Sequence, residues 1–247
     1  MHRSGTSLAC QLLDALGVPF GDESDRLATD RWNPQGYFER RSVVDLNSRI
    51  VTGFPRTQSR FAALLSKLAY AKQPPAAAIE ARARAQRPDV ELLAARYAAC
   101  AVKDPRFCLT LRFWDAALRI DRVLVCLREP GAVVASLRRR DRLPSRLGYR
   151  FWAWHMEALL QQLPLDRAVF VETDRLAVGD GRELECVRQF LGLASSRPAD
   201  SVLRSVVRPD ALRSGETRSC PPRVSQLWAK LRELAEQRRQ SIMGHAR

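Results

Sequence analysis

With 247 residues and 46% hydrophobic content, the chain can bury one sizeable core, and nothing in its composition divides it, so one domain over residues 1–247 is expected. No apolar run approaches the about 18 residues of a spanning helix, and no signal core follows His2 and Arg3, which excludes both segments and points to a soluble, cytoplasmic protein. The formal charge of +14, with only four lysines among 41 basic residues, favours polyanionic ligands and leaves phosphorylated cofactors, acidic substrates and nucleic acid open.

The first helical pattern covers residues 6–16, with Leu8, Leu12, Leu13 and Leu16 on one face and Gly17 placed as a C-terminal cap. Residues 73–87, with Pro74, Pro75 and a run of alanines and arginines, form a variable excursion that is either a helical insertion or a loop. Helical periodicity returns at 90–99 and 108–118, then at 132–140, 149–163, 183–191 and 224–240. Short apolar runs at 100–102, 123–127 and 168–171 are each bounded by charge, as buried parallel strands are. An irregular stretch at 208–222 holds Gly215 and the Pro221-Pro222 pair. Strands alternating with helices give an α/β domain with a mainly parallel sheet. The six cysteines form no CxxC pair, which disfavours zinc and a disulfide framework.

His2-Arg3-Ser4-Gly5-Thr6-Ser7 feeds directly into the first helix. Unpaired N–H groups at a helix start attract anions; Gly5 lets the backbone approach one, Thr6 and Ser7 add hydroxyls, and Arg3 adds a charged fork. An ordinary helix N-terminus capped by Ser4 or Thr6 is the plainer alternative. The lysine of GxxxxGK[ST] is absent, which counts against a nucleotide kinase. A second basic motif follows the apolar run at 123–127: Arg128-Glu129-Pro130-Gly131, with Ser136 eight residues after Arg128. An arginine at a strand's end and a serine about two turns into the next helix can converge on one anion, and two anion sites imply a doubly phosphorylated ligand.

These paired motifs resemble those of the sulfotransferases that use 3′-phosphoadenosine 5′-phosphosulfate (PAPS). The likeness extends through Asn33-Pro34-Gln35-Gly36-Tyr37-Phe38-Glu39, Lys103-Asp104-Pro105-Arg106, and residues 171–176 with Phe190-Leu191-Gly192, and so covers most of the chain to about residue 193. The resemblance implies a three-layer P-loop-like fold, with a mainly parallel central sheet flanked by helices. It assigns Arg3, Ser4, Gly5, Thr6 and Ser7 to the 5′-phosphosulfate and Arg128 and Ser136 to the 3′-phosphate. Arg3 stands where many members have lysine, and would stabilise charge on the bridging oxygen.

The implied reaction is a metal-independent, in-line transfer of a sulfuryl group to a hydroxyl or amine of a small-molecule, glycan or lipid-like acceptor. Glu39 is the favoured general base, with His155 and Asp104 as competitors, and Lys103, Asp104 and Arg106 would line the substrate cleft. Each has a plainer reading. Glu39 can pair with an arginine, His155 can be a buried histidine satisfied by a carbonyl, and the 103–106 cluster can be a structural ion pair. In this fold a buried strand precedes the phosphate loop, whereas here only Met1 does. The natural chain is therefore expected to begin upstream, with activity impaired where that strand is missing. Two other readings stay open: a nucleotide kinase or other phosphate-loop protein, and a non-catalytic polyanion binder using Arg138-Arg139-Arg140. No sequence-specific nucleic-acid partner is expected, because no interleaved aromatic pattern for base stacking occurs.

Overall fold

A computed structural model describes residues 1–29, 36–194, 197–207 and 220–244. Among these residues the chain runs through α1 (Thr6–Ala15), α2 (Arg41–Thr52), α3 (Arg60–Ala71), α4 (Ala76–Ala85), α5 (Arg87–Arg96) and α6 (Phe107–Ala117) to β1 (Val123–Leu127). It continues through α7 (Pro130–Asp141), α8 (Ser145–Gln162), β2 (Ala168–Glu172), α9 (Thr173–Ala177), α10 (Gly181–Leu191), α11 (Ala199–Val206) and α12 (Pro222–Gly244). The protein is mostly helical with a small parallel sheet, and is therefore broadly α/β.

The chain divides into two compact units. The first comprises Met1–Gly17, Asp121–Glu157 and Pro164–Arg247, and the second Val18–Ile120 and Ala158–Leu163. The first unit holds the sheet. Strands β1 and β2 run parallel, from the Val123↔Ala168 pair to Leu127↔Glu172. Ala168, Val169, Phe170 and Val171 are buried, which is why this strand is an unbroken apolar run instead of an alternating one. Helices α10 and α12 pack on β2, and α1 packs on α9 and α11. Glu129 caps α7 by accepting hydrogen bonds from the N–H groups of Gly131 (2.9 Å) and Ala132 (2.6 Å), and Pro130 opens the first turn, where a missing N–H costs nothing.

The second unit is built around α2, with Val43, Val44, Leu46, Ile50 and Val51 all at 0% exposure. Helices α3, α4, α5 and α6 surround it. A buried polar network runs through this core. Asn47 Oδ1 accepts hydrogen bonds from Thr110 Oγ1 and Trp114 Nε1, each at 2.9 Å, and Asn47 Nδ2 donates to Asp104 at 3.2 Å.

Several sequence expectations change here. The run at 100–102 is not a strand: Ala101 N donates to Pro19 O at 2.8 Å, and that single contact sits in irregular chain without a sheet ladder. Among the described residues the sheet thus has two strands. Residues 73–87 adopt the helical alternative, with α4 following Pro75 and turning Ile79 and Ala83 inward. Helices α2 and α3 carried no sequence expectation. The stretch 208–222 lies outside the described residues up to 219, as do Asn33, Pro34 and Gln35.

Candidate functional site

The loop before α1 is shaped by two left-handed residues, Arg3 (φ 66) and Gly5 (φ 73). Gly5, and not Ser4 or Thr6, occupies the N-cap, and no side-chain cap bond is made there. The glycine is required twice over. A Cβ at this position would lie 2.5 Å from Thr173 Oγ1 and 2.6 Å from Thr173 Cβ, well inside contact distance, and the positive φ disfavours any side chain. Thr173 is 2% exposed and begins α9 at the C-terminal end of β2. Its Oγ1 lies 3.1 Å from Ser4 O and 3.0 Å from Leu127 O, so one hydroxyl clasps the loop to the end of β1.

Strand β1 delivers Arg128 to the same place. Its guanidinium donates to Arg3 O at 3.3 Å and to Asp174 Oδ1 at 3.2 Å. Two turns into α7, the buried Ser136 accepts a hydrogen bond from Arg3 Nε at 2.8 Å, across 133 residues of sequence. A left-handed arginine costs about 1–2 kcal/mol relative to glycine. Here that backbone is held from both ends, by its carbonyl on Arg128 and its side chain on Ser136. The fold therefore brings Arg3, Ser4, Gly5, Thr6, Ser7, Arg128 and Ser136 together within one unit, beside the positive end of α1's dipole. Two guanidinium groups, a serine hydroxyl and a helix N-terminus suit a phosphate or sulfate chemically.

No family model, curated protein or solved structure matches this chain.

The residues assigned to base and substrate roles take plainer positions. His155 is at 0% exposure, and its Nδ1 lies 2.7 Å from Phe151 O one helical turn back, as in a carbonyl-satisfied core histidine. Glu39 belongs to the second unit and pairs with Lys103 at 2.6 Å; Lys103 also donates to Tyr37 O at 2.9 Å. Its partner is thus a lysine 64 residues away and not a neighbouring arginine. Asp104 and Arg106 form a buried pair in that same unit, with Arg106 Nη1 shared between the two carboxylate oxygens at 3.0 and 3.2 Å, and Arg106 N donates to Asp104 at 2.8 Å. Burial pushes the Asp104 carboxyl above its ordinary value despite the opposing pull of Arg106. Burial works against the Arg106 charge, but Asp104, Tyr70 and Glu39 together hold its pKa above the usual range.

Thr173 and Asp174 are the site residues that sequence reasoning missed. Both follow the apolar run at 168–171, and a threonine just beyond a buried strand is the signal that could have marked the clasp. The Arg138-Arg139-Arg140 run closes α7, where cations complement the negative end of the helix dipole.

Proposed function

We propose that this protein is a PAPS-dependent sulfotransferase, with the donor nucleotide held in the first unit. The observation that supports the reading is the direct contact of the two motifs. Arg3, from the loop assigned to the 5′-phosphosulfate, lies on Ser136, from the motif assigned to the 3′-phosphate, and Arg128 braces the same loop. Two guanidinium groups brought from separate motifs can address the separate charged groups of one nucleotide.

In the proposed reaction the acceptor oxygen or nitrogen attacks sulfur and gives up its proton to solvent water. The bond from sulfur to the bridging oxygen breaks, and 3′-phosphoadenosine 5′-phosphate leaves. Arg3 stabilises the negative charge that develops on the bridging oxygen, and the N–H groups at the start of α1 hold the 5′-phosphate. A three-layer P-loop-like arrangement, a cytoplasmic location, and a small-molecule, glycan or lipid-like acceptor belong to the same proposal.

Calorimetric titration with 3′-phosphoadenosine 5′-phosphate tests it, beside ATP with magnesium and an Arg128→Ala variant. Micromolar binding of the bisphosphate, weakened at least about tenfold in the variant, is the expected result. Preference for ATP with magnesium would instead favour the nucleotide-kinase reading. No binding to folded protein would refute the donor site.

A further inference from the structure

Helix α3 turns an apolar stripe toward solvent. Phe61 is 70% exposed, Leu64 52% and Leu68 56%, and spacings of three and four residues place them on one face. The opposite face is anchored: the buried Ser66 Oγ lies 2.7 Å from Ser48 Oγ of α2, and Ser59 caps the helix at the Ala62 N–H. Orientation of the stripe is therefore fixed by the fold. Isolated exposed leucines are ordinary, but three large apolar groups in register on one helix form a patch that marks an interaction surface.

Charge identifies what the patch meets. Arg60 and Lys67 flank the stripe on one side and Lys72 on the other, and all three are exposed. Residues 46–79 contain Arg49, Arg56, Arg60, Lys67 and Lys72, and no aspartate or glutamate. Lys67 and Lys72 are two of the four lysines in the whole chain. An apolar stripe with long cationic side chains along both rims is the composition of a helix that lies in the plane of a bilayer surface. No described helix is long and apolar enough to cross a membrane, so such a helix would lie on the surface.

We propose that α3 is an interfacial helix that seats the protein on anionic phospholipid bilayers. Phe61, Leu64 and Leu68 enter the boundary between headgroups and acyl chains, and Arg60, Lys67 and Lys72 meet lipid phosphates. This assignment is independent of the donor-site reading, because every residue in it lies in the second unit.

Flotation of the full chain with vesicles tests it, using phosphatidylcholine alone and an equimolar mixture of phosphatidylcholine and phosphatidylglycerol. Binding to the mixed vesicles only is expected. The Phe61→Ser/Leu64→Ser/Leu68→Ser variant should bind at least about tenfold more weakly. The Lys67→Gln/Lys72→Gln variant should lose about thirtyfold, at roughly 1 kcal/mol per cation near an anionic surface. Exposed positions predict unchanged circular dichroism for both, and a single Phe61→Ser variant replaces the triple one if that fails to fold. Absence of binding to mixed vesicles, or full binding by the apolar variant, would overturn the proposal. So would a concentration-dependent dimer that disappears in the apolar variant without any vesicle binding, since the stripe would then join two copies of the chain.

Discussion

Replacing Gly5 with alanine isolates the tightest contact in the phosphate loop. Two costs arise: a left-handed backbone at φ 73 that alanine adopts only at about 1–2 kcal/mol, and a methyl group placed 2.5 Å from Thr173 Oγ1. Relief requires Thr173 to move, which breaks the hydrogen bond that its single hydroxyl proton shares between Ser4 O and Leu127 O, at about 1 kcal/mol. The sum is about 2–3 kcal/mol. Gly17→Ala is the matched control, because Gly17 is also left-handed, at φ 85, but a Cβ there meets nothing within 4 Å, so only the backbone cost applies. Thermal unfolding followed by circular dichroism should show a drop of about 4–12 °C for Gly5→Ala and about 2–8 °C for Gly17→Ala, with Gly5→Ala the lower of the two by about 2–4 °C. Thr173→Ala should cost less in the Gly5→Ala background than alone, since the hydrogen bond its hydroxyl donates is already broken. Equal melting temperatures for the two glycine variants would refute the steric clasp and leave only backbone strain.

Asp104→Ala leaves Arg106 as a buried, uncompensated charge and should destabilise the chain by about 3–5 kcal/mol in urea unfolding, whereas Asp104→Leu/Arg106→Met should recover most of the loss. Burial raises the Glu183 carboxyl above its ordinary 4.5, so the native state holds this proton more tightly than the unfolded chain; the resulting stabilisation is complete below pH 4.5 and lost as pH rises through the folded value. Glu183→Gln keeps an acceptor for Glu172 N and removes that dependence, so melting curves should show the variant gaining on the wild type as the pH rises above 4.5. Burial pushes the Cys186 thiol up to about 11, and iodoacetamide at pH 8 should label it only after denaturation, as read by peptide mass spectrometry. At the proposed donor site Asp174 would compete with a phosphate for Arg128, so Asp174→Asn should tighten 3′-phosphoadenosine 5′-phosphate severalfold in calorimetry, and weaker binding would contradict that competition.

Local patterns carried most of the helices and both strands, because the residues that generate each pattern also make the contacts. Leu12 and Leu13 are buried where the periodicity of α1 puts them, and β2 occupies its expected apolar run. Helix α2 escaped notice because its buried set includes Asp45, Asn47 and Ser48 beside Val43, Val44 and Ile50, which erases the contrast between apolar and polar faces. In α3 the same contrast is inverted, with leucines outward and Ser66 inward, and periodicity alone does not reveal which face is exposed. The run at 100–102 has a strand's composition, but composition does not supply a neighbour to pair with. Among site residues, helix spacing after Arg128 pointed to a convergence of Arg128 with Ser136, whereas the contact that Ser136 makes is with Arg3, 133 residues away. Glu39 finding Lys103, and Thr173 finding two carbonyls, depend on long-range packing that leaves no spacing signal in sequence.

The arrangement around Arg3 also bears on how the site would discriminate among anions. Arg3 rests on a neutral hydroxyl, and Arg128 on a carbonyl and on an aspartate whose side chain is 44% exposed. An exposed ion pair is worth little, and a bond from guanidinium to hydroxyl is weaker than one to a phosphate oxygen, so a dianion can displace these partners at small cost. The backbone that would receive the anion is held at Gly5 and Ser4: Gly5 is wedged on Thr173, and Ser4 O is tied to the same hydroxyl. Anion binding would thus exchange weak side-chain contacts for charge-assisted ones, releasing Arg3 from Ser136 and Arg128 while Ser4 and Gly5 stay held by Thr173. On that reasoning selectivity for doubly charged groups comes from the Arg3 and Arg128 side chains, and the precision of placement comes from the Gly5–Thr173 contact, so variants at the two positions should separate affinity from stability.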